Sequence, residues 1–218
     1  MKNTKLITFE GGEGSGKSTQ AKLLYDALKI SKNKIILTRE PGGTSVSEKI
    51  RKIVVSNSKS SIDALTELLL INAARNEHIK ALILPKLKSN FTVICDRFID
   101  STFAYQVAGH GLNEQVFKKI NNLVINRCIP FITFLIDIPP EIGLKRSLKI
   151  NKKENRFEYF NRSFHTRVRK GFNELTKKNK RIYKINGKKS IKIIHKEIID
   201  KLNSKGIFKY KIQYALND

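Results

Sequence analysis

The stretch Gly11-Gly12-Glu13-Gly14-Ser15-Gly16-Lys17-Ser18-Thr19 carries the densest chemistry in the chain. Its Gly-x-x-x-x-Gly-Lys-Ser spacing lets successive backbone N–H groups curl around a phosphate without Cβ clashes, and a helix opening at Lys17 aims its positive dipole end at the same anion. Lys17 then reaches the β and γ phosphates of a nucleoside triphosphate, and Ser18 offers a hydroxyl to Mg²⁺. A second pair, Asp96-Arg97, closes an apolar stretch. There the carboxylate supports Mg²⁺ through water while the guanidinium neutralises an anionic acceptor. That suits transfer between two phosphates, in which catalysis is mainly positioning and cationic screening.

Phosphate loops serve kinases, GTPases, motors and DNA-processing ATPases alike. A GTPase wants Asn-Lys-x-Asp after an apolar strand; the nearest match, Asn151-Lys152-Lys153-Glu154, follows a helix and ends in the wrong acid. A helicase-like ATPase wants an acidic pair at a strand end, and Cys95-Asp96-Arg97 and Ile136-Asp137-Ile138 supply one carboxylate each.

To present these groups together, the chain needs strands that end at one edge. Apolar runs of strand length fall at Leu6 to Phe9, Lys34 to Thr38, Phe91 to Cys95, Phe131 to Ile136 and Arg181 to Ile185. Helical patterns separate them at Lys17 to Ile30, Val46 to Val55, Asp63 to Lys88, Asn113 to Arg127, Pro140 to Lys149, Phe160 to Lys178 and Ile191 to Asn203. Continuously apolar strands alternating with helices predict an α/β fold, a five-stranded parallel sheet with helices on both faces. Breaks fall at Pro41-Gly42-Gly43, at Gly109-His110-Gly111 and across the polar stretch Asn151 to Asn155, which reads as a surface loop.

The length of 218 residues predicts one domain, residues 1–203, with a basic tail at 204–218 that packs on the surface or frays. No apolar run approaches the ~18 residues of a membrane span, and the interruption at Glu10 argues against a signal peptide. Two cysteines without a CxxC pair offer neither a disulfide framework nor a zinc site, so Cys95 and Cys128 read as ordinary buried residues and the cytoplasm as the compartment. The four histidines are scattered and form no metal set, and His165 reads as a helix-face residue. The net charge of +24 is concentrated late: residues 141–218 hold 23 Lys/Arg against 7 Asp/Glu. Clustered cations can bind nucleic acid. Here they scatter along helix-like stretches without interleaved aromatics, as on a solvated surface.

The phosphate loop, then Thr38-Arg39-Glu40-Pro41-Gly42-Gly43-Thr44, then Asp96-Arg97-Phe98 running into Asp100-Ser101-Thr102 and Tyr105-Gln106, resemble the thymidylate kinases in order and spacing over about residues 5 to 200. The resemblance implies a P-loop fold with a short lid near residues 150–160, ATP and dTMP as substrates, dTDP as product, Mg²⁺ as cofactor and a homodimer. It further implies that ATP lies on Gly11 to Thr19 and beside Arg146, with Ser18 and Asp96 serving the metal. For dTMP it implies Glu13 facing the 3′ hydroxyl, Arg97 gripping the phosphate, Arg75 near a thymine carbonyl, Thr102 on the base and Tyr105 crowding the 2′ position, with Arg39, Ile71, Ser101 and Gln106 completing the site. It implies Lys17, Arg97 and Arg156 as the catalytic set. Another branch of the family carries a catalytic arginine where Gly14 stands here, so the cation over the transferring phosphoryl is expected from Arg156, with Lys152 and Lys153 substituting in part.

Three departures stand out. Ile71 replaces a stacking phenylalanine, which costs about 1–3 kcal/mol unless Phe98 or Phe103 moves in. Val107-Ala108-Gly109-His110-Gly111 lacks the family's first glycine and its arginine, and the tail extends past the pattern. The alternatives are a kinase for another nucleoside monophosphate and, more remotely, a nucleic-acid-binding ATPase.

Overall fold

The computed structural model describes residues 5–31, 33–56, 62–125, 128–149, 155–208 and 211–214. Its centre is a five-stranded, wholly parallel sheet in the order β2-β3-β1-β4-β5. The strands are β1 (Leu6–Glu10), β2 (Ile35–Arg39), β3 (Thr92–Asp96), β4 (Ile132–Asp137) and β5 (Ile182–Asn186). Each lies at or within a residue of the stretch expected from sequence. The chain leaves β1 for the β3/β2 side and later returns past β1 to β4. Glu10, Arg39, Asp96 and Asp137 therefore end neighbouring strands at one edge, the usual ligand crevice of an open α/β sheet.

Both faces of the sheet are buried, which is why the strands are apolar at odd and even positions. Ile7, Phe9, Ile94, Phe134 and Ile136 face α1 (Lys17–Ile30) and α9 (Ile191–Ser204). Leu6, Val93 and Cys95 face the opposite side, where Ile79, Ile83 and Phe98 cover them. Helices α2 (Ser45–Val55) and α3 (Ala64–His78) follow β2, and α6 (Glu114–Ile125), α7 (Pro140–Ser147) and α8 (Arg162–Lys178) complete the layers. Side chains cap several of them: Thr44 for α2, Asp63 for α3, Asn161 for α8 and Ser190 for α9.

Two local departures have physical causes. The long helix expected from Asp63 to Lys88 widens into a π-helical turn, Ile79–Ile83, before α4 (Leu84–Lys88), whose first turn holds Pro85. A proline ring clashes with the carbonyl four residues earlier in a regular helix, and the wider turn relieves that clash. The segment after β3, for which the apolar pattern predicts no helix, is helical: α5 (Ile99–Thr102) runs into a π-helical segment, Phe103–Gly109. Its β-branched and aromatic residues are poor helix formers, and tertiary packing against α8 sets its conformation. There Gly171 permits close approach, since a Cβ would stand 2.5 Å from Ala108 Cβ.

The described part of the C-terminal stretch is docked. Ile212 is buried in the α1/α9 core, its N–H donating to Asn203 Oδ1 (2.8 Å) and its carbonyl accepting from Asn203 Nδ2 (3.1 Å). No helix among the described residues is long and apolar enough to cross a membrane.

Candidate active site

The loop from Gly11 to Gly16 joins β1 to α1, with Gly14 and Gly16 in the left-handed region at φ 61° and 94°. A Cβ on Gly14 would collide with the Gly143 carbonyl of α7, so no side chain fits at this position. Any further cation over the phosphates must come from outside the loop. No side chain caps the start of α1, which leaves its first N–H groups and its positive dipole end facing the hollow. Ser15 Oγ is buried there without a partner, and Thr19 lies exposed on the first turn.

Lys17 is buried and its ammonium donates to Gly12 O at 3.2 Å. Burial, and then the Arg97 charge, push its pKa below the ordinary lysine value, while Glu13, Asp96 and Glu10 oppose the shift. The Ser18 hydroxyl donates to Asp96 Oδ2, and Asp96 Oδ1 is buried with no hydrogen-bond partner. A hydroxyl beside a carboxylate with a spare buried oxygen is a hard, oxygen-only donor set that fits Mg²⁺.

Arg97 is the second cation at this loop. Its backbone takes φ 67°, a strained value for a residue with a Cβ, and its N–H is tied to Phe9 O at 2.9 Å. That bend turns the guanidinium back across the sheet edge. Nη1 donates to Gly11 O (3.2 Å) and Ser101 Oγ (3.1 Å), and Nη2 to Glu13 Oε1 (2.7 Å) and Tyr105 Oη (3.1 Å). Burial works against its charge, but Glu13 and the other nearby acids more than offset that and raise its pKa. For Glu13, burial works to raise the pKa, yet Arg97, Lys17 and the Tyr105 hydroxyl hold it at about 2. Lys17 and Arg97 thus grip consecutive carbonyls, Gly12 and Gly11, of one loop.

Beyond Arg97 opens a cleft lined by Pro41, Ile71, Arg75, Phe98, Thr102 and Phe157, among others. Arg75 is 2% exposed; Nε donates to Glu40 Oε2 (2.7 Å), Nη2 to Thr102 Oγ1 (2.8 Å), and Nη1 has no partner. Gln106 Nε2 donates to Glu67 Oε1 at 2.6 Å, which leaves its own carbonyl oxygen buried and unpaired. Ser101 donates to the buried Glu10 at 2.5 Å. Tyr105 presents its hydroxyl to Arg97 and Glu13 while its ring packs edge-on against Phe157 at 5.4 Å. Glu13, Ile71, Arg75, Arg97, Ser101, Thr102, Tyr105 and Gln106 therefore share one cleft.

Other expected residues lie elsewhere. Arg39 is half exposed, pairs with Glu48 at 3.1 Å and lines a neighbouring cleft with Ser18 and Asp96. Arg146 donates to Gly187 O (3.3 Å) and lines a separate hollow with Glu141, Ile142 and Lys145. Arg156, expected over the transferring phosphoryl, donates to Glu67 Oε2 (2.5 Å) and to the carbonyl of cleft-lining Val54 (2.9 Å), with fully buried Glu67 as its charge partner. Lys152 and Lys153 lie outside the described residues. His110, where the family favours arginine, packs on Phe160 and Phe164 with Nε2 3.4 Å from Glu67 Oε1. As for a replacement aromatic, Phe98 lines the cleft but Arg75 covers it at 5.3 Å, and Phe103 packs on Phe117.

The sequence reading missed Arg51, Glu67, His78 and Phe157. Arg51 lines the cleft and donates to Pro41 O at 2.9 Å. A signal did exist for two of these: Glu67, Ile71, Arg75 and His78 recur at helical spacing on one buried face of α3, where charged groups have a cost unless they are used.

Comparisons with known proteins agree with this geometry. A family model described as thymidylate kinase matches residues 9–198. Similar proteins include the thymidylate kinase of Sulfurihydrogenibium sp., 42% identical over 92% of this chain and 98% of that one. That of Wolbachia pipientis wMel is 45% identical over 90% and 98%. The crystal structure of thymidylate kinase from Ehrlichia chaffeensis superposes with a TM-score of 0.71 at 39% identity, covering 90% of this chain and 97% of that one.

Proposed function

The chain belongs to the thymidylate kinase family, and from that premise we propose how its own residues carry out the reaction. The enzyme phosphorylates dTMP to dTDP with ATP and Mg²⁺. ATP lies along Gly11 to Thr19, its β and γ phosphates meeting the open end of α1 and Lys17, with Arg146 on the adenine side. Ser18 and, through water, Asp96 would hold Mg²⁺, which when bound neutralises β and γ oxygens. The dTMP phosphate takes the place that Glu13 now occupies on Arg97 Nη2, so that Arg97 screens the acceptor while Lys17 screens the donor. Glu13, held ionised, is then free to accept from the 3′ hydroxyl. Tyr105 closes the sugar's 2′ side, and Arg75, Thr102 and Gln106 meet the base.

The observation that carries this reading is the grip of Lys17 and Arg97 on adjacent carbonyls of one loop. Two like-charged phosphates can approach in line only where both are screened at their meeting point. The test is ADP release coupled to a spectrophotometric readout with ATP and dTMP. Turnover is expected; a folded protein with none would overturn the reading, and a tenfold preference for another monophosphate would overturn the base pocket.

We assign Arg156 to the clasp between the lid side and the acceptor cleft, on the strength of its bond to Glu67. We also propose that the enzyme acts as a cytoplasmic homodimer without a nucleic-acid partner. Its two cysteines are free and buried, as suits a reducing compartment. The surface of α2, α3 and α6 carries exposed Ile53, Leu65, Leu69 and Leu123, which suits a second copy.

A further inference from the structure

Behind the base end of the cleft runs a chain of buried polar contacts that ends on Arg75. Thr38 Oγ1 lies 2.7 Å from His78 Nε2, and His78 Nδ1 lies 3.0 Å from Glu40 Oε1. Glu40 Oε2 then accepts from Arg75 Nε. His78 is fully buried, and Glu40 is 3% exposed. A carboxylate oxygen accepts, so Nδ1 carries the imidazole proton, and Nε2 is left to accept from the Thr38 hydroxyl. Both Glu40 oxygens are thereby engaged and the carboxylate plane is fixed. The turn after β2 is shaped around the same ring: a Cβ on Gly43 would stand 2.5 Å from both His78 Nε2 and Thr38 Oγ1.

Glu40, His78 and Cys95 also bring ligand atoms within 4.8 Å of one another. They do not make a metal site. One carboxylate oxygen faces the Arg75 cation, which opposes a second positive charge. Burial, followed by the Glu40 and Asp96 charges, pushes the Cys95 thiol well above its ordinary pKa and away from the thiolate a metal needs.

We propose that His78 is a positioning residue for base recognition. Acting through Glu40, it fixes the Arg75 guanidinium so that the unpartnered Nη1 presents a rigid donor to the base. With Nε on Glu40 and Nη2 on Thr102, the planar fork has no freedom to rotate. A fixed donor rewards a carbonyl at the facing base position and rejects an exocyclic amino group, which would meet it donor to donor. The inference rests on the thymidylate kinase reading for the identity of the base.

The test compares the wild type with His78→Asn and His78→Phe. Asn places an amide N–H near the position of Nδ1 and so preserves the Glu40 contact; Phe keeps the ring volume and removes it. His78→Phe is expected to raise the dTMP KM about tenfold, the effect of losing roughly one hydrogen bond's worth of orientation. It should shrink the preference for dTMP over dCMP by a similar factor, with kcat and the ATP KM little changed. His78→Asn should recover most of both losses. Equal losses in the two variants, or an unchanged dTMP to dCMP ratio in His78→Phe, would overturn the proposal and leave His78 a packing residue.

A second readout does not depend on substrate. The Arg75 Nε–H, buried on Glu40, should show slow solvent exchange by ¹⁵N NMR in the wild type and in His78→Asn and fast exchange in His78→Phe; equal protection in all three would overturn the relay. If His78→Phe does not fold, His78→Gln, whose longer amide reaches toward Thr38 and misses Glu40, should show the same losses. A wild type that is inactive on dTMP but has the expected Arg75 protection pattern would count against the family reading and not against the relay.

Discussion

The two carboxylates at and just beyond the end of β1 separate into two kinds. Glu13 is held near a pKa of 2 by Arg97 and Lys17 after burial has pushed the other way, so it stays ionised through any assay pH. Glu10, fully buried, is raised from 4.5 to about 8, first by burial and then by the Asp100 charge, against Ser101, Arg97 and Phe98 N–H, which lower it. A raised folded value means that the native state binds the proton more tightly than the unfolded chain. Its stabilising contribution is therefore full below about pH 4.5 and is lost as pH rises toward 8. Glu10→Gln cannot titrate, so urea unfolding of the two proteins across pH 4–9 should show the wild type losing stability relative to the variant over that window. Parallel curves would contradict the raised value. At Ile71, which lines the cleft beside Val54 and Val55, a phenylalanine would restore a flat face for the base. Ile71→Phe should lower the dTMP KM about fivefold, the low end of one stacking interaction; an unchanged KM would mean that Phe157 already supplies the stack.

At the level of elements, strands and helices were legible where period and boundary residues agreed, as in β1, the phosphate loop and α1. The helix after β3 was not, because α5 and its π-helical continuation owe their shape to α8, some 60 residues further along. The site divides the same way. Lys17, Ser18 and the Asp96-Arg97 pair follow from local spacing, and Arg75, Thr102 and Tyr105 acquired roles only through the family pattern. The Arg156–Glu67 bond joins residues 89 apart and leaves no mark on either local sequence. That bond motivates an acceptor-side role for the lid arginine. Arg156→Ala should raise the dTMP KM more than it lowers kcat, since the arginine bonds the carbonyl of Val54, a residue that lines the acceptor cleft. A collapse of kcat with both KM values unchanged would return Arg156 to the transferring phosphoryl.

On the scale of the whole molecule, composition alone pointed in two directions. A charge of +24 invites a nucleic-acid reading, but Lys17, Arg75 and Arg97 are turned inward, the first and last onto the Gly12 and Gly11 carbonyls and Arg75 onto Glu40 and Thr102. The apolar surface is a stronger lead to a macromolecular partner. α3 packs against both α2 and α6, and Leu123 on α6 is 83% exposed. Sedimentation equilibrium should give twice the 25.0 kDa chain mass, and Leu123→Glu should shift it toward the monomer. A wild-type monomer at micromolar concentration would remove the dimer from the account.

The central claim is that two phosphates meet between Lys17 and Arg97 over one glycine-lined loop. A crystal structure with dTMP and a non-hydrolysable ATP analogue bound together tests it most directly. The account expects the dTMP phosphate on Arg97 and the γ phosphate on Lys17, aligned for in-line attack, with the thymine carbonyl on Arg75. A monophosphate lodged away from both cations would contradict it.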